Sequence, residues 1–157
     1  AGVAALSGVS ALRSDEYHVS LSRTFTLTRS QLESFADALR RALRRAIALQ
    51  LRSSAAVALP NDTRTRFFAA VRLEQGGGGA FDALVDAVDG VVTRYGGERF
   101  YAERLAHFSV GWSLAPLGGA WAGRGGALAG HAMRFDRAVC RIGERSTEFR
   151  LAHPRDH

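Results

Sequence analysis

Two short stretches, Glu16-Tyr17-His18-Val19-Ser20-Leu21-Ser22 and Ala106-His107-Phe108-Ser109-Val110-Gly111-Trp112, each carry a His-x-Ser triplet flanked by apolar residues. In an extended strand successive side chains alternate faces. His18, Ser20 and Ser22 then share one face while Tyr17, Val19 and Leu21 take the other. The second stretch repeats the pattern, with His107 and Ser109 opposite Phe108, Val110 and Trp112. Imidazole, with an ordinary pKa of about 6.5, is available near neutrality both as a base and, protonated, as an acid. A hydroxyl two residues on can donate a hydrogen bond to a phosphoryl oxygen. Two such strands facing one cleft supply the groups that acid–base chemistry on a phosphate needs.

The bare triplets carry little by themselves. With five His in 157 residues, the Ser and Thr content gives ~0.6 such triplets by chance, against two found. The matched alternation, and the placement of one copy in each half of the chain, give them weight. His131, His153 and His157 have no hydroxyl partner of this kind. No grouping of His, Cys, Asp or Glu has zinc or two-metal spacing, so no metal site is expected. Gly76–Gly79 lacks the Lys-Ser/Thr of a phosphate-binding P-loop and reads as a flexible linker. Arg40, Arg41, Arg44 and Arg45 read as a solvated helix face. Trp112 reads as core and Trp121 as a loop anchor. Tyr101, in the polar run 96–104, fits half-exposed packing as well as a functional role.

The elements around these residues alternate strand and helix. Ser30-Gln31-Leu32-Glu33 reads as a capping box opening a helix to about residue 52, with Leu32, Phe35, Leu39, Leu43 and Ile47 on its apolar stripe. A strand near 55–59, a turn at Pro60-Asn61-Asp62 and a strand over 66–73 follow. A second helix spans roughly 81–95, then come the second motif strand, a Gly-rich loop over 116–130 and a hairpin across Gly143-Glu144-Arg145. Hairpin-scale connections between strands argue α+β with antiparallel sheets.

Size and composition bound the function. A chain of 157 residues, 46% hydrophobic, supports a single domain with a sizeable core. The formal charge of +6 suits a polyanionic partner, and all 21 basic residues are Arg, whose guanidinium binds phosphate bidentately. The one cysteine, Cys140, fits a reducing compartment and a packed thiol. No run has the roughly 18 apolar residues of a membrane helix, and the start of the chain lacks the basic residues of a signal peptide.

Three stretches resemble the two-histidine (2H) phosphoesterases, and within them the U6 spliceosomal RNA 3′-end phosphodiesterases. They are Tyr17-His18-Val19-Ser20-Leu21-Ser22-Arg23-Thr24, then Thr63-Arg64-Thr65-Arg66-Phe67-Phe68-Ala69-Ala70-Val71, and Phe100-Tyr101 with His107-Phe108-Ser109-Val110-Gly111-Trp112 six residues after the Tyr. A weaker echo runs through Phe135–Arg141 and Phe149-Arg150-Leu151. The resemblance covers the chain from about residue 16 to its end. The His-x-Ser pairs mark the superfamily, and the Tyr101-to-His107 spacing marks the narrower family. It implies a two-lobed, pseudo-symmetric fold with antiparallel sheets facing a central groove and helices packed outside. Residues 16–157 would form this single domain. The family carries a further strand and helix before the first motif, so residues 1–15 would be a remnant of an incomplete lobe with an uncovered sheet edge.

The resemblance further implies a metal-independent 3′→5′ exoribonuclease that trims the oligouridine end of U6 snRNA, leaving a 2′,3′-cyclic phosphate. His18 and His107 would be catalytic, with His107 the base and His18 the acid. Ser20 and Ser109 would bind phosphate, and Tyr101 would bind the terminal nucleotide. No cofactor, metal or membrane is implied; the partner is the 3′ end of a small nuclear RNA, and the expected enzyme is a nuclear monomer. Two other readings remain open: a 2′,3′-cyclic phosphodiesterase of the same superfamily, and a catalytically inert RNA-binding or structural subunit.

Overall fold

The structure, a computed structural model, describes residues 6–153. The chain divides into two compact units, and both units take segments from several parts of the sequence. The first contains the chain up to Ser20, Leu51–Glu74 and Leu105–Met133. The second contains Leu21–Gln50, Gln75–Arg104 and the chain from Arg134 onward. The α+β character and the antiparallel pairing are as the sequence suggests.

The first unit holds most of a five-stranded sheet. Its strands are β1 (Ser10–Ala11), β2 (Leu49–Pro60), β3 (Phe67–Gln75), β4 (His107–Ser113) and β5 (Ala132–Phe135), in the order β1-β4-β3-β2-β5. Alternating apolar residues drive these segments to strand: Ala69 and Val71 of β3 face one way and pack with Ala56, Val110 and Trp121, joined by Phe108, Leu117 and Leu128. Trp121 is 2% exposed and its indole N–H donates to the Val57 carbonyl at 2.9 Å. It is the anchor expected of it. The Gly-rich stretch around it forms two short helices, α3 (Gly119–Ala122) and α4 (Gly125–Leu128), each one turn long.

Ser10 and Ala11 pair with Trp112 and Gly111 along one edge of β4, and Leu12 N–H donates to the Val110 carbonyl at 2.9 Å. A 3₁₀ turn at Ser14–Glu16 then loops outward, closed by Arg13 N–H on the Glu16 carboxylate at 2.7 Å. The chain returns to the same edge at Val19, which bridges Phe108. The first motif is therefore not the continuous strand read from residues 16–22. One bridge fixes its register and the 3₁₀ turn occupies its start, where the Glu16 and Tyr17 N–H groups donate to the Arg13 and Ser14 carbonyls at 3.0 and 3.3 Å instead of to β4.

The second unit packs α1 (Leu32–Leu43) against α2 (Ala80–Val92). Phe35, Leu39 and Leu43 of α1 and Phe81, Leu84, Val85, Val88 and Val92 of α2 are buried, the stripes read from the 3.6-residue period. Phe35 meets Phe25 and Tyr95 edge-on, with ring centroids 5.5 and 5.2 Å away. Helix α1 ends nine residues short of the expected boundary. From Leu49 the side chains of Leu49, Leu51 and Ser53 alternate into the interior, and strand pairing takes residues that helical propensity alone would keep. The capping box lies two residues ahead of the one expected: Thr28 N–H donates to the Gln31 side chain at 2.9 Å and opens a 3₁₀ turn leading into α1. Strands β6 (Arg137–Ile142) and β7 (Arg145–Arg150) form the expected hairpin, with Gly143 at φ +57° supplying the left-handed residue of its turn.

Candidate active site

Both His-x-Ser motifs lie in the first unit, although the sequence distributes them one to each half. The antiparallel bridge between Val19 and Phe108 sets their register. Stepping one residue either way places His18 across from Ser109 and Ser20 across from His107. Residues directly opposed on neighbouring antiparallel segments point to the same face. All four side chains therefore share one face of the sheet edge, while Tyr17 and Phe108 turn to the other, their ring centroids 5.7 Å apart. His18 is exposed; Ser20, His107 and Ser109 are half-buried.

The two histidines repeat one local bond. His18 Nδ1 lies 2.8 Å from the carbonyl oxygen of Glu16, and His107 Nδ1 lies 2.8 Å from that of Leu105. A carbonyl only accepts, so Nδ1 carries the proton in both rings. That assigns Nε2 as the nitrogen open to a reacting group, as lone-pair base when neutral and N–H acid when protonated. The partner residue is two positions upstream in both motifs, and sequence offers no signal for it because the acceptor is backbone.

A bulge in β4 adds neighbours that alternation alone assigns to the wrong face. Ala69 pairs with Gly111 and Ala70 with Ser109, leaving Val110 as an extra residue. Beyond the bulge the faces exchange. Trp112, opposite Phe68, comes to the face of His107 and Ser109 rather than joining the core as expected. There it is half-buried and the Arg66 guanidinium lies 4.5 Å from its ring centroid. On the other side of the motif Arg72 is the cross-strand partner of His107 and is exposed. The site face thus has two arginines that belong to neither His-x-Ser motif.

Tyr101 belongs to the second unit. The residue is 41% exposed, and its ring meets Phe100 at 5.3 Å and has the Arg23 guanidinium 4.2 Å from its centroid. The segment that carries it is pinned from beneath. Asp89, 1% exposed, accepts the Phe100 N–H at 2.8 Å. Arg104 donates to Asp86 at 2.6 Å and to the Asp82 carbonyl at 3.1 Å. The hydrogen bond from Arg104 holds the Asp86 carboxyl below the usual carboxylate range, and the Arg104 guanidinium is correspondingly raised by Asp86.

His131 and His153 lie away from the motif strands; His153 pairs with Arg134, and His157 falls outside the described residues. Cys140 is a half-buried free thiol whose pKa is raised by burial. Among the described residues no helix is long and apolar enough to cross a membrane.

The α+β fold with antiparallel sheets and two His-x-Ser motifs on one face is the arrangement that the sequence resemblance implies. The chain belongs to the HVSL family, described as uncharacterised conserved proteins, whose sequence pattern matches residues 6–148. The four letters of that name stand here as His18-Val19-Ser20-Leu21. It is 28% identical over 100 residues to U6 snRNA phosphodiesterase 1 of Dictyostelium discoideum, covering 62% of this chain and 36% of that protein. The chain thus spans about a third of the length of that curated relative. Among solved structures, Kluyveromyces marxianus Usb1 with uridine monophosphate shares the fold at a TM-score of 0.60 and 17% identity, over 86% of this chain and 75% of that one. TT0787 of Thermus thermophilus matches with a TM-score of 0.60 at 14% identity, over 95% and 82% of the two chains.

Proposed function

We propose that this protein is a metal-independent RNA phosphodiesterase that trims the 3′ oligouridine end of U6 snRNA in the 3′→5′ direction. The observation that carries the reading is the pair of His-x-Ser motifs on one sheet face, both imidazoles tied through Nδ1 to the carbonyl two residues upstream. The names of the Dictyostelium relative and of the uridine monophosphate complex of Usb1 support the choice of RNA 3′ end.

The chemistry follows from ribose. The 2′-oxygen adjoining the 3′-phosphate attacks phosphorus while the bond to the departing 5′-oxygen breaks. His107 Nε2 takes the 2′ proton, and protonated His18 delivers a proton to the 5′-oxygen. Atoms and charge balance without a bound water or a metal, because the nucleophile is already in the substrate. Ser20 and Ser109 donate to the non-bridging oxygens, where negative charge accumulates in the transition state. Tyr101 offers its ring to the terminal base, a contact worth about 1–3 kcal/mol. The products are a released nucleoside or nucleotide and an RNA ending in a 2′,3′-cyclic phosphate. The reading includes action as a monomer in the nucleus, in service of splicing.

The test is incubation of oligouridine-tailed RNA with the protein in EDTA, followed by end-group analysis. The expected result is stepwise shortening with cyclic ends. Intact tails, or ring-opening of an added cyclic end without shortening, would contradict it.

A further inference from the structure

The sheet face of the two motifs continues past the β4 bulge to Trp112 and, across from it at Phe68, to the turn that carries Arg66. We propose that Arg66, seated on Trp112, binds a backbone phosphate of the RNA chain next to the cleaved linkage; this rests on reading the two-histidine face as an RNA-cleaving site.

Three observations converge on it. The bulge at Val110 brings Trp112 onto the face of Ser109, three residues away, roughly 7–10 Å at about 3.3 Å per residue. The Arg66 guanidinium lies 4.5 Å from the Trp112 ring centroid. A guanidinium lying on an indole spends its flat face on the ring and keeps its in-plane N–H groups for an anion. Among the described residues no carboxylate ion-pairs with Arg66. Finally, the turn is built to hold this residue. The Asn61 side-chain oxygen accepts the N–H groups of Thr65 at 2.8 Å and Arg66 at 3.0 Å, and its amide donates to the Thr63 and Thr65 hydroxyls at 3.1 and 3.0 Å. Arg64 holds a left-handed φ of 54° inside the same turn. A cation anchored through both backbone and side chain loses little freedom on binding, and the face it shares with two His-x-Ser motifs favours phosphate over a carboxylate ligand.

The test is binding of a short oligouridylate, made resistant to cleavage by 2′-deoxy substitution, followed by fluorescence anisotropy across a salt series. Arg66→Ala should bind about tenfold more weakly at low salt. The slope of log affinity against log salt should become shallower by about 0.7, the loss of one phosphate contact on a single strand. Trp112→Leu should weaken binding while keeping the slope, since it removes the platform and leaves the charge. Arg41→Ala, on the exposed face of α1, should change neither quantity. An unchanged slope in Arg66→Ala, or no binding by the unaltered protein at low salt, overturns the proposal. Cleavage of the all-ribose twin is scored separately. An Arg66-dependent slope without cleavage keeps the subsite and removes the RNA-cleaving reading; cleavage with an unchanged slope does the reverse.

Discussion

Glu16 and Leu105 each present a backbone carbonyl to the imidazole two residues on, and this repeated bond turns a common triplet into a directed pair of nitrogens. In the proposed mechanism both serve one displacement, so their losses should not add. His18→Ala and His107→Ala should each lower single-turnover cleavage by about 10²–10⁴-fold. The double variant should be no worse than about the more damaged single. Losses that multiply would place the two histidines in separate steps. Cys140 makes a contrasting residue. Burial raises its thiol pKa, so its thiolate fraction near pH 7 is below that of a free cysteine. Alkylation by iodoacetamide should accordingly be slower in the folded protein than in urea, and equal rates would refute a packed thiol.

At the scale of elements, positions set by backbone bonding were the least legible. The apolar stripes of α1 and α2, the β6–β7 hairpin and the turn at Asn61 could be read because each rests on side-chain pattern or turn chemistry within a few residues. The strand start at Leu49, the 3₁₀ turn at Ser14–Glu16 and the bulge at Val110 could not. Each depends on a partner distant in sequence or on a backbone group that every residue carries. For the same reason alternation assigns Trp112 to the core and gives no sign of Arg66 and Arg72, while His18, Ser20, His107 and Ser109 stand out through their matched triplets and strand alternation. Asp89 offers a test at this scale. Its buried carboxylate holds the Phe100 N–H beside Tyr101. Asp89→Ala should cost about 1–3 kcal/mol in chemical denaturation by leaving that donor unpaired. An unaltered midpoint would show that the segment is held by Arg104 and packing instead. Gly97→Ala should also destabilise, because an added Cβ would stand 2.5 Å from Val92 Cγ1 and 3.0 Å from Phe25.

For the molecule as a whole, the α+β class and the unity of the two motifs follow from different causes. Period-two and period-3.6 patterns gave the class. The union of the motifs in one compact unit comes from the chain's returning twice to the first unit, an arrangement that no local pattern encodes. A formal charge of +6 carried wholly by arginine favours a phosphate polymer over a small neutral substrate. The central claim is that the substrate's own 2′-hydroxyl is the nucleophile and the two imidazoles only move protons. Its most direct test compares an all-ribose oligouridine tail with a twin lacking the single 2′-hydroxyl beside the terminal phosphodiester. Both should bind, and the ribose twin alone should be trimmed to a cyclic end. Equal trimming of the two would show that water or a protein group attacks phosphorus, and would contradict the mechanism.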